Sequence, residues 1–227
     1  MLQKTKAEIK NIERACKITD EIFLKITKNF AFTTERELAL WIKKEIKNRG
    51  LREAFPPIVT SGKRAGNSIH PTPTNEKMEG FVIIDFGVRV NGYCSDMTRT
   101  IFVGTPTQKE KDIYKLVLKS KTESEKLVKD GALCAASDAL ARKTLGAYKK
   151  YFIHTLGHGV GKRIHERPRV FFKATEDVYL ENMAVTIEPG IYIPNKLGIR
   201  IEDTLLVTKK KPLFLTKSPL ELLIFRP

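Results

Sequence analysis

The chain has 227 residues, of which 41% are hydrophobic and 30% are charged. This composition excludes a disordered polypeptide, and the length suffices for one substantial core or two small ones. The formal net charge of +15 comes largely from lysines spread along the chain, which favours a solvated basic surface over a specific nucleic-acid partner.

The spacing of the cysteines and the hydropathy of the chain indicate the cellular compartment of the protein. Cys16, Cys94 and Cys134 are widely spaced and form no CxxC motif, which disfavours a disulfide framework and a thiolate zinc cluster. The N-terminal segment lacks the apolar core of a secretion signal, and no apolar run approaches the ~18 residues of a membrane span. We therefore expect a cytoplasmic protein with no membrane partner.

The N-terminal part of the sequence predicts two helices. Residues 5–28 carry apolar residues at helical intervals among lysines and glutamates, which indicates an amphipathic helix. Thr34 and Glu37 form a capping-box pattern, and the second helix is predicted to end at Gly50.

Strands and two more helices are predicted after Phe55. Residues 81–90 and 93–103 are apolar runs joined by Asn91-Gly92, a type I′ turn dipeptide, and predict a hairpin. Helices are predicted over residues 109–130 and 135–148. The remaining strand predictions cover residues 184–189, 190–194, 198–208 and 221–227. We expect one α+β domain over residues 1–227, with an antiparallel sheet covered by helices and two halves of similar content.

The hairpin brings two carboxylates together. If Asn91-Gly92 is the turn, Val90 faces Tyr93, Asp85 opposes Thr98, and Asp96 lies diagonally from Asp85 on the same face. The two carboxylates are then roughly 5–8 Å apart. A solvated hairpin tip is the alternative, and a register shift of one residue would separate the two faces.

The four histidines lie in two segments. His70 stands in NSIHPTPT, whereas His154, His158 and His165 stand in IHTLGHGVGKRIHERP. The interleaved glycines disfavour a continuous helix and therefore a helical zinc site. They suit a bending backbone that points several imidazoles into one cavity.

Glu188 and Glu202 each interrupt an apolar strand run. Taken alone, Glu188 could simply end a strand, and Glu202 could simply form an ion pair with Arg200. Together with the aspartates and an imidazole they form a donor set for two divalent ions. Oxygen-rich ligation favours Mn²⁺ or Co²⁺, with Fe²⁺ and Zn²⁺ as alternatives. Such a pair of ions supports hydrolytic chemistry.

These motifs resemble the metallopeptidases of the pita-bread fold, which include aminopeptidase P, prolidase and methionine aminopeptidase. The resemblance extends from about Phe55 to Thr208 and rests on IIDFG, SDMTRT, GHGVG, HERP, TIEPG and RIED in the family's order. It implies a pita-bread fold with two pseudo-symmetric halves and a single catalytic domain without a separate N-terminal domain. The metal ligands that it implies are Asp85, Asp96, His158, Glu188 and Glu202, with Asp96 and Glu202 bridging.

The resemblance also implies roles for other residues. His70 and His165 match histidines that contact the substrate and stabilise the tetrahedral intermediate, and His154 matches a further active-site histidine. Glu188 resembles the general base, and Arg200 matches an arginine held near the metals and the substrate.

The motif details favour the aminopeptidase P and prolidase branch, and a homodimer is compatible with that resemblance. HERP departs from the commoner HEEP, because Arg167 stands where an acidic residue is usual. The leading hypothesis is a dinuclear aminopeptidase in which a metal-bridging hydroxide attacks Xaa-Pro bonds of peptides. The alternatives are a methionine aminopeptidase, an Xaa-Pro dipeptidase, and a catalytically silent relative that binds nucleic acid or ribosomes.

Overall fold

The computed structural model describes residues 2–226. Helix α1 spans Lys6–Lys28 and helix α2 spans Glu35–Asn48, as predicted. Each begins after a threonine, Thr5 or Thr34, whose hydroxyl accepts an N–H from the first turn. Both helices bury one apolar face. None of the helices in the described residues is both long and apolar enough to traverse a lipid bilayer.

The first half of the chain continues with short strands and the central hairpin. Its elements are β1 (Arg52–Glu53), β2 (Ile58–Ser61), the short helix α3 (Gly62–Ala65), β3 (Gly80–Phe86), β4 (Val88–Val90), β5 (Tyr93–Cys94) and β6 (Met97–Val103). The hairpin register is the predicted one, since Val90 pairs with Tyr93 and Asp85 pairs with Thr98. Asn91 and Gly92 both have positive φ, as a type I′ turn requires.

Each of the two predicted hairpin strands is interrupted once. Gly87 separates β3 from β4, and a Cβ there would lie 1.9 Å from the main-chain oxygen of Ser95. The Ser95 hydroxyl accepts the Val88 N–H at 2.9 Å. This close crossing transfers the hairpin tip to a separate sheet with β1, and the interruption falls beside Asp85 and Asp96.

The second half repeats the pattern of two helices and a sheet. Its elements are α4 (Gln108–Glu125), α5 (Cys134–Leu145), a 3₁₀ segment (Gly146–Tyr151), β7 (Gly157–Val160), β8 (Glu166–Val170), β9 (Ala184–Ile187), β10 (Gly190–Ile193), β11 (Leu197–Arg200), β12 (Asp203–Leu206), β13 (Leu213–Phe214) and β14 (Ile224–Phe225). Two sheets form the body, in the orders β14-β6-β3-β2 and β13-β12-β9-β7-β8.

Several predicted boundaries are wrong, and tertiary contacts explain why. Helix α4 ends at Glu125 rather than residue 130, because the N–H groups of Asp130 and Gly131 bond to Thr208 and Tyr179. Helix α5 ends at Leu145 because Gly146 adopts a positive φ.

Two of the predicted C-terminal strands are also shorter than expected. The single strand predicted over residues 198–208 is two strands, β11 and β12. The strand predicted over 221–227 is limited to β14, which pairs in parallel with β6, and Pro227 lies outside the described residues.

Two apolar cores flank the middle of the molecule. One packs α1 and α2 against the sheet that contains β3 and β6, and the other packs α4 and α5 against the sheet that contains β9 and β12. The two sheets meet where the Glu202 N–H donates to the Thr98 carbonyl at 3.0 Å. The predicted α+β class with antiparallel sheets is confirmed, and the junction of the two halves carries the candidate site.

Candidate metal centre

Asp85 lies on β3 and is almost fully buried. Its Oδ2 accepts a hydrogen bond from the Arg200 guanidinium at 2.6 Å, whereas its Oδ1 is buried and has no hydrogen-bond partner in residues 2–226. Burial raises the pKa of Asp85, and the Arg200 charge opposes that shift. Leaving a buried acceptor unpaired costs about 1–3 kcal/mol, so this oxygen suits a ligand that the polypeptide does not supply.

Asp96, His158 and Glu202 form the tightest group. Each offers one potential ligand atom, and these atoms lie within 4.8 Å of one another. The His158 Nε2 is 3.6 Å from Asp96 Oδ2. The Thr98 hydroxyl fixes Glu202 by donating to its Oε2 at 2.7 Å. Two carboxylates and an imidazole at this spacing are donors suited to a divalent transition-metal ion.

Glu188 adjoins this group just beyond the end of β9. Its Oε1 is 3.3 Å from His158 Nε2 and accepts the Thr186 hydroxyl at 3.3 Å. Burial alone would raise the pKa of Glu188, but the hydrogen bond and charge of His158 outweigh burial and lower the pKa to about 2.

The carboxylates therefore differ in acidity. Burial and like-charged neighbours raise the pKa values of Asp96 and Glu202 well above the usual range, in contrast to the lowered pKa of Glu188. For Asp96 the neighbours are Glu202, Asp85 and Glu188. For Glu202 they are Glu188 and Asp85. A cluster that resists carrying its full negative charge is one that a bound cation stabilises.

Glycines bring His158 into this position. A Cβ on Gly157 would lie 2.0 Å from the Thr186 oxygen, and one on Gly159 would lie 2.1 Å from the Arg167 oxygen. The segment that the sequence suggested as a bend is strand β7, which pairs with both β8 and β9. Only glycine permits the backbones to approach this closely.

His70 and His165 both line the cavity. Neither ring forms a hydrogen bond with another group in residues 2–226, and we therefore call these two the open histidines. The His165 ring stands edge to face with His158, with 4.4 Å between the ring centroids. Partial burial and the neighbouring His158 lower the pKa of His165.

His154, by contrast, is engaged at both nitrogens. Its Nδ1 lies 2.8 Å from the Thr155 carbonyl and its Nε2 lies 3.0 Å from the Tyr192 hydroxyl. Because burial lowers the pKa of His154 to about 4, the ring is neutral; Nδ1 donates and Nε2 accepts from Tyr192. The Arg200 guanidinium donates to the same hydroxyl at 2.7 Å.

One cavity unites these side chains. Its volume is about 1290 Å³, and its lining includes all nine predicted site residues: His70, Asp85, Asp96, His154, His158, His165, Glu188, Arg200 and Glu202. Residues that are about 130 positions apart in sequence therefore meet in a single pocket.

Comparison with known proteins identifies the family. Residues 10–209 match the model of metallopeptidase family M24. The chain belongs to this family. It is 42% identical over 226 residues to the Xaa-Pro dipeptidase of Pyrococcus furiosus, an alignment that covers 97% of this chain and 64% of the relative.

Solved structures of M24 relatives agree with the fold. A dipeptidase from Pyrococcus horikoshii superposes with a TM-score of 0.92 at 39% identity, covering 98% of this chain and 64% of the other. An X-Pro aminopeptidase from Thermotoga maritima gives a TM-score of 0.92 at 32% identity, covering 100% of this chain and 65% of the other. The predicted pita-bread fold is confirmed, and the chain spans less than two thirds of the length of these relatives.

Two residues of this candidate site were absent from the sequence predictions. Tyr192 reads as an ordinary apolar strand residue in GIYIP, and Thr98 reads as one of several strand threonines in SDMTRT. Thr98 accepts from Arg200 Nε at 3.1 Å and donates to Glu202, which links the Asp85 and Glu202 carboxylates through hydrogen bonds. The register of the hairpin carried a signal for Thr98, because it places that residue opposite Asp85.

Proposed function

We propose that this chain is the catalytic part of a metal-dependent aminopeptidase that releases the N-terminal residue from peptides with proline in second position. The observation that carries the proposal is the convergence of four imidazoles and the four carboxylates of the predicted ligand set in one cavity with an unpaired Asp85 oxygen. The names of the M24 relatives, which are Xaa-Pro dipeptidases and an X-Pro aminopeptidase, support the preference for proline.

The ligand set proposed for two divalent ions, Mn²⁺ or Co²⁺, consists of Asp85, Asp96, His158, Glu188 and Glu202. The oxygen-rich donors fit such ions, and the crowding of buried carboxylates is relieved by cations. When bound, the ions would supply a water of lowered pKa and polarise the substrate carbonyl.

The side chains of this chain complete the chemistry. The Oε2 of Glu188 has no hydrogen-bond partner in the described residues, so this carboxylate has an oxygen free to accept a proton from the attacking water. The open rings of His70 and His165 are suited to donate hydrogen bonds to the oxygen on which negative charge develops. His154 and Arg200 act through Tyr192 and Asp85 and hold the site in place.

Proline at the cleaved bond suits this pocket. An Xaa-Pro amide has no N–H, so recognition depends on ring shape and on contacts to carbonyl oxygens. The cavity lining supplies apolar surface for the ring from Phe55, Ile58, Ile69 and Pro71. The open histidines supply the polar contacts.

A second candidate, an Xaa-Pro dipeptidase, is favoured by the identity to the Pyrococcus furiosus enzyme. Chelated protein reloaded with Mn²⁺ or Co²⁺ and assayed on Ala-Pro, Ala-Pro-Ala and Met-Ala-Ala separates the alternatives. We expect cleavage of Ala-Pro-Ala with release of alanine. Cleavage of Ala-Pro alone would establish the dipeptidase, and cleavage of Met-Ala-Ala alone a methionine aminopeptidase. Absence of all turnover with metal bound would refute the peptidase proposal.

We expect His165→Ala to lower turnover of Ala-Pro-Ala by ~10²-fold while metal content stays unchanged, because a hydrogen-bond donor to the developing oxyanion is lost. Lys162→Ala is the matched control, since it changes an exposed residue of the same loop that does not line the main cavity. Steady-state kinetics and metal analysis provide the measurement. Equal turnover in the two variants would show that the role of His165 is misassigned.

A further inference from the structure

Arginines surround the mouth of the cavity. Three of them, Arg36, Arg163 and Arg167, are exposed side chains that line it, and we name these three the basic rim. Lys43, which lies 3.5 Å from Glu53, and the exposed Arg169 add further positive charge to this lining.

The rim charges have few partners inside the protein. Within residues 2–226, the Arg36 and Arg163 guanidinium groups form no hydrogen bond or ion pair. Arg167 is 71% exposed, and its contact with Asp177 is a long 3.4 Å. The single cavity-lining carboxylate outside the predicted ligand set is Glu166, which forms an ion pair with Lys4 at 2.7 Å.

Metal binding would not remove this excess of positive charge at the cavity mouth. Two divalent cations balance the charge of the four carboxylates in the interior, and Arg200 pairs with Asp85. The basic rim then dominates the potential at the entrance, where a cleft lined by one sign of charge attracts ligands of the other sign. The rim therefore favours an anionic group on the substrate.

Strand β8 sets the position of that group. His165 lies in the bend just before β8 and Arg167 lies in the strand, and both line the cavity. Because Arg167 follows His165 by two residues, their Cα atoms are at most about 7 Å apart, which is the span of about two residues of an extended peptide.

An aminopeptidase substrate has only one residue before the cleaved bond. A group two residues away from the bond therefore lies on its C-terminal side, beyond the proline. We infer that the basic rim selects Xaa-Pro peptides that carry a carboxylate on the second or third residue after the cleaved bond. This inference rests on the proposed function, and it gives Arg167, where HERP departs from HEEP, a part in substrate choice.

The carboxylate has two sources, an acidic side chain or the free C-terminus. Three peptides separate them: Ala-Pro-Glu-amide, Ala-Pro-Gln-amide and Ala-Pro-Gln with a free C-terminus. We expect a carboxylate from either source to raise kcat/KM over the neutral amide by about 5- to 10-fold at low salt, and added salt to reduce the difference. Because the contact lies outside the reacting bond, the change belongs in KM rather than in kcat.

Arg167→Gln tests the role of Arg167, and Lys173→Gln is its control. Lys173 is exposed and lies outside the cavity lining, and its substitution by glutamine also removes one positive charge. We expect Arg167→Gln to bring the charged-to-neutral ratio toward one and Lys173→Gln to preserve it. Equal kcat/KM for all three peptides, or an unchanged ratio in Arg167→Gln, would overturn the inference while leaving the peptidase proposal intact. No cleavage of any peptide by the metal-loaded enzyme would refute both.

Discussion

Replacement of Asp96 by asparagine is expected to remove most divalent metal binding and to lower turnover of Ala-Pro-Ala by ~10³-fold or more, since the metal contributes several kcal/mol to catalysis. Asp96 lies in the tightest donor group, 3.6 Å from His158 Nε2 and within 4.8 Å of a Glu202 oxygen. The family resemblance implies that Asp96, like Glu202, bridges two ions, so its loss would affect both ions at once.

The same change should not harm the metal-free fold. Asp96 is a buried carboxylate whose neighbours Glu202 and Asp85 repel its charge. Removal of that charge relieves the repulsion, so we expect the free energy of unfolding of the chelated variant to equal or exceed that of the wild type by about 1–2 kcal/mol. The wild type should gain stability when Mn²⁺ is added, and the variant should not.

Urea unfolding with and without Mn²⁺, together with metal analysis, measures both effects. Asp112→Asn is the control, because Asp112 is an exposed aspartate on α4 and lies away from the cavity lining. A metal-dependent gain in stability that survives in Asp96→Asn would contradict the assignment of Asp96 as a ligand. A large loss of stability without metal would show that Asp96 has a structural role instead.

The hairpin was predictable because its determinants are local. Asn91-Gly92 fixes a two-residue turn, and the period of two then fixes which side chains share a face. The register that pairs Asp85 with Thr98 follows from these facts alone. The motif resemblance extended this result to Glu188 and Glu202, whose positions no local rule connects to the hairpin.

What the sequence did not reveal depends on contacts between distant segments. The break at Gly87 results from the Ser95 backbone crossing close to it, and strand β7 exists because its glycines admit neighbouring backbones. Tyr192 joins the site through partners on two other segments, His154 and Arg200. The motifs IIDFG and GHGVG contain these glycines, but they do not indicate which neighbouring backbone each glycine admits.

Arg99 is the clearest example of a residue whose burial and contacts the sequence does not predict. An arginine between threonines in a strand normally faces solvent, yet Arg99 is 1% exposed. Its five N–H groups reach five acceptors, the main-chain carbonyls of Thr98, Glu202, Ser218 and Pro219 and the carboxylate of Asp203. It therefore ties β6 to the chain at Glu202 and to the segment before β14.

The charge of Arg99 belongs to a buried network behind the candidate site. Asp203 lies 2.6 Å from Arg99 and 2.5 Å from Lys121 of α4, and Lys121 pairs with Glu125 at 2.6 Å. Burial would raise the pKa of Asp203, but the Arg99 and Lys121 charges outweigh it and lower the pKa. Burial raises the pKa of Glu125 to about 7, and above that pH the four charges sum to zero. Removal of one then leaves a buried charge without full compensation.

Arg99→Met is expected to lower the free energy of unfolding of the chelated protein by about 3–5 kcal/mol, the usual cost of breaking a buried ion pair. Arg52→Met is the control, because Arg52 is an exposed strand arginine whose loss should stay within about 0.5 kcal/mol. Urea unfolding without metal isolates this effect from ligand binding.

Metal titration of the Arg99→Met protein that remains folded tests the connection to the site. Since Arg99 holds the main chain of Glu202 and the carbonyl of Thr98, whose hydroxyl positions the Glu202 carboxylate, its loss should also weaken Mn²⁺ binding by about 10- to 100-fold. If Arg99→Met has the same free energy of unfolding as Arg52→Met, the proposed stabilising role of Arg99 is refuted. Loss of stability with unchanged Mn²⁺ affinity would mean that Glu202 is held in place by its own strand and by Thr98 alone.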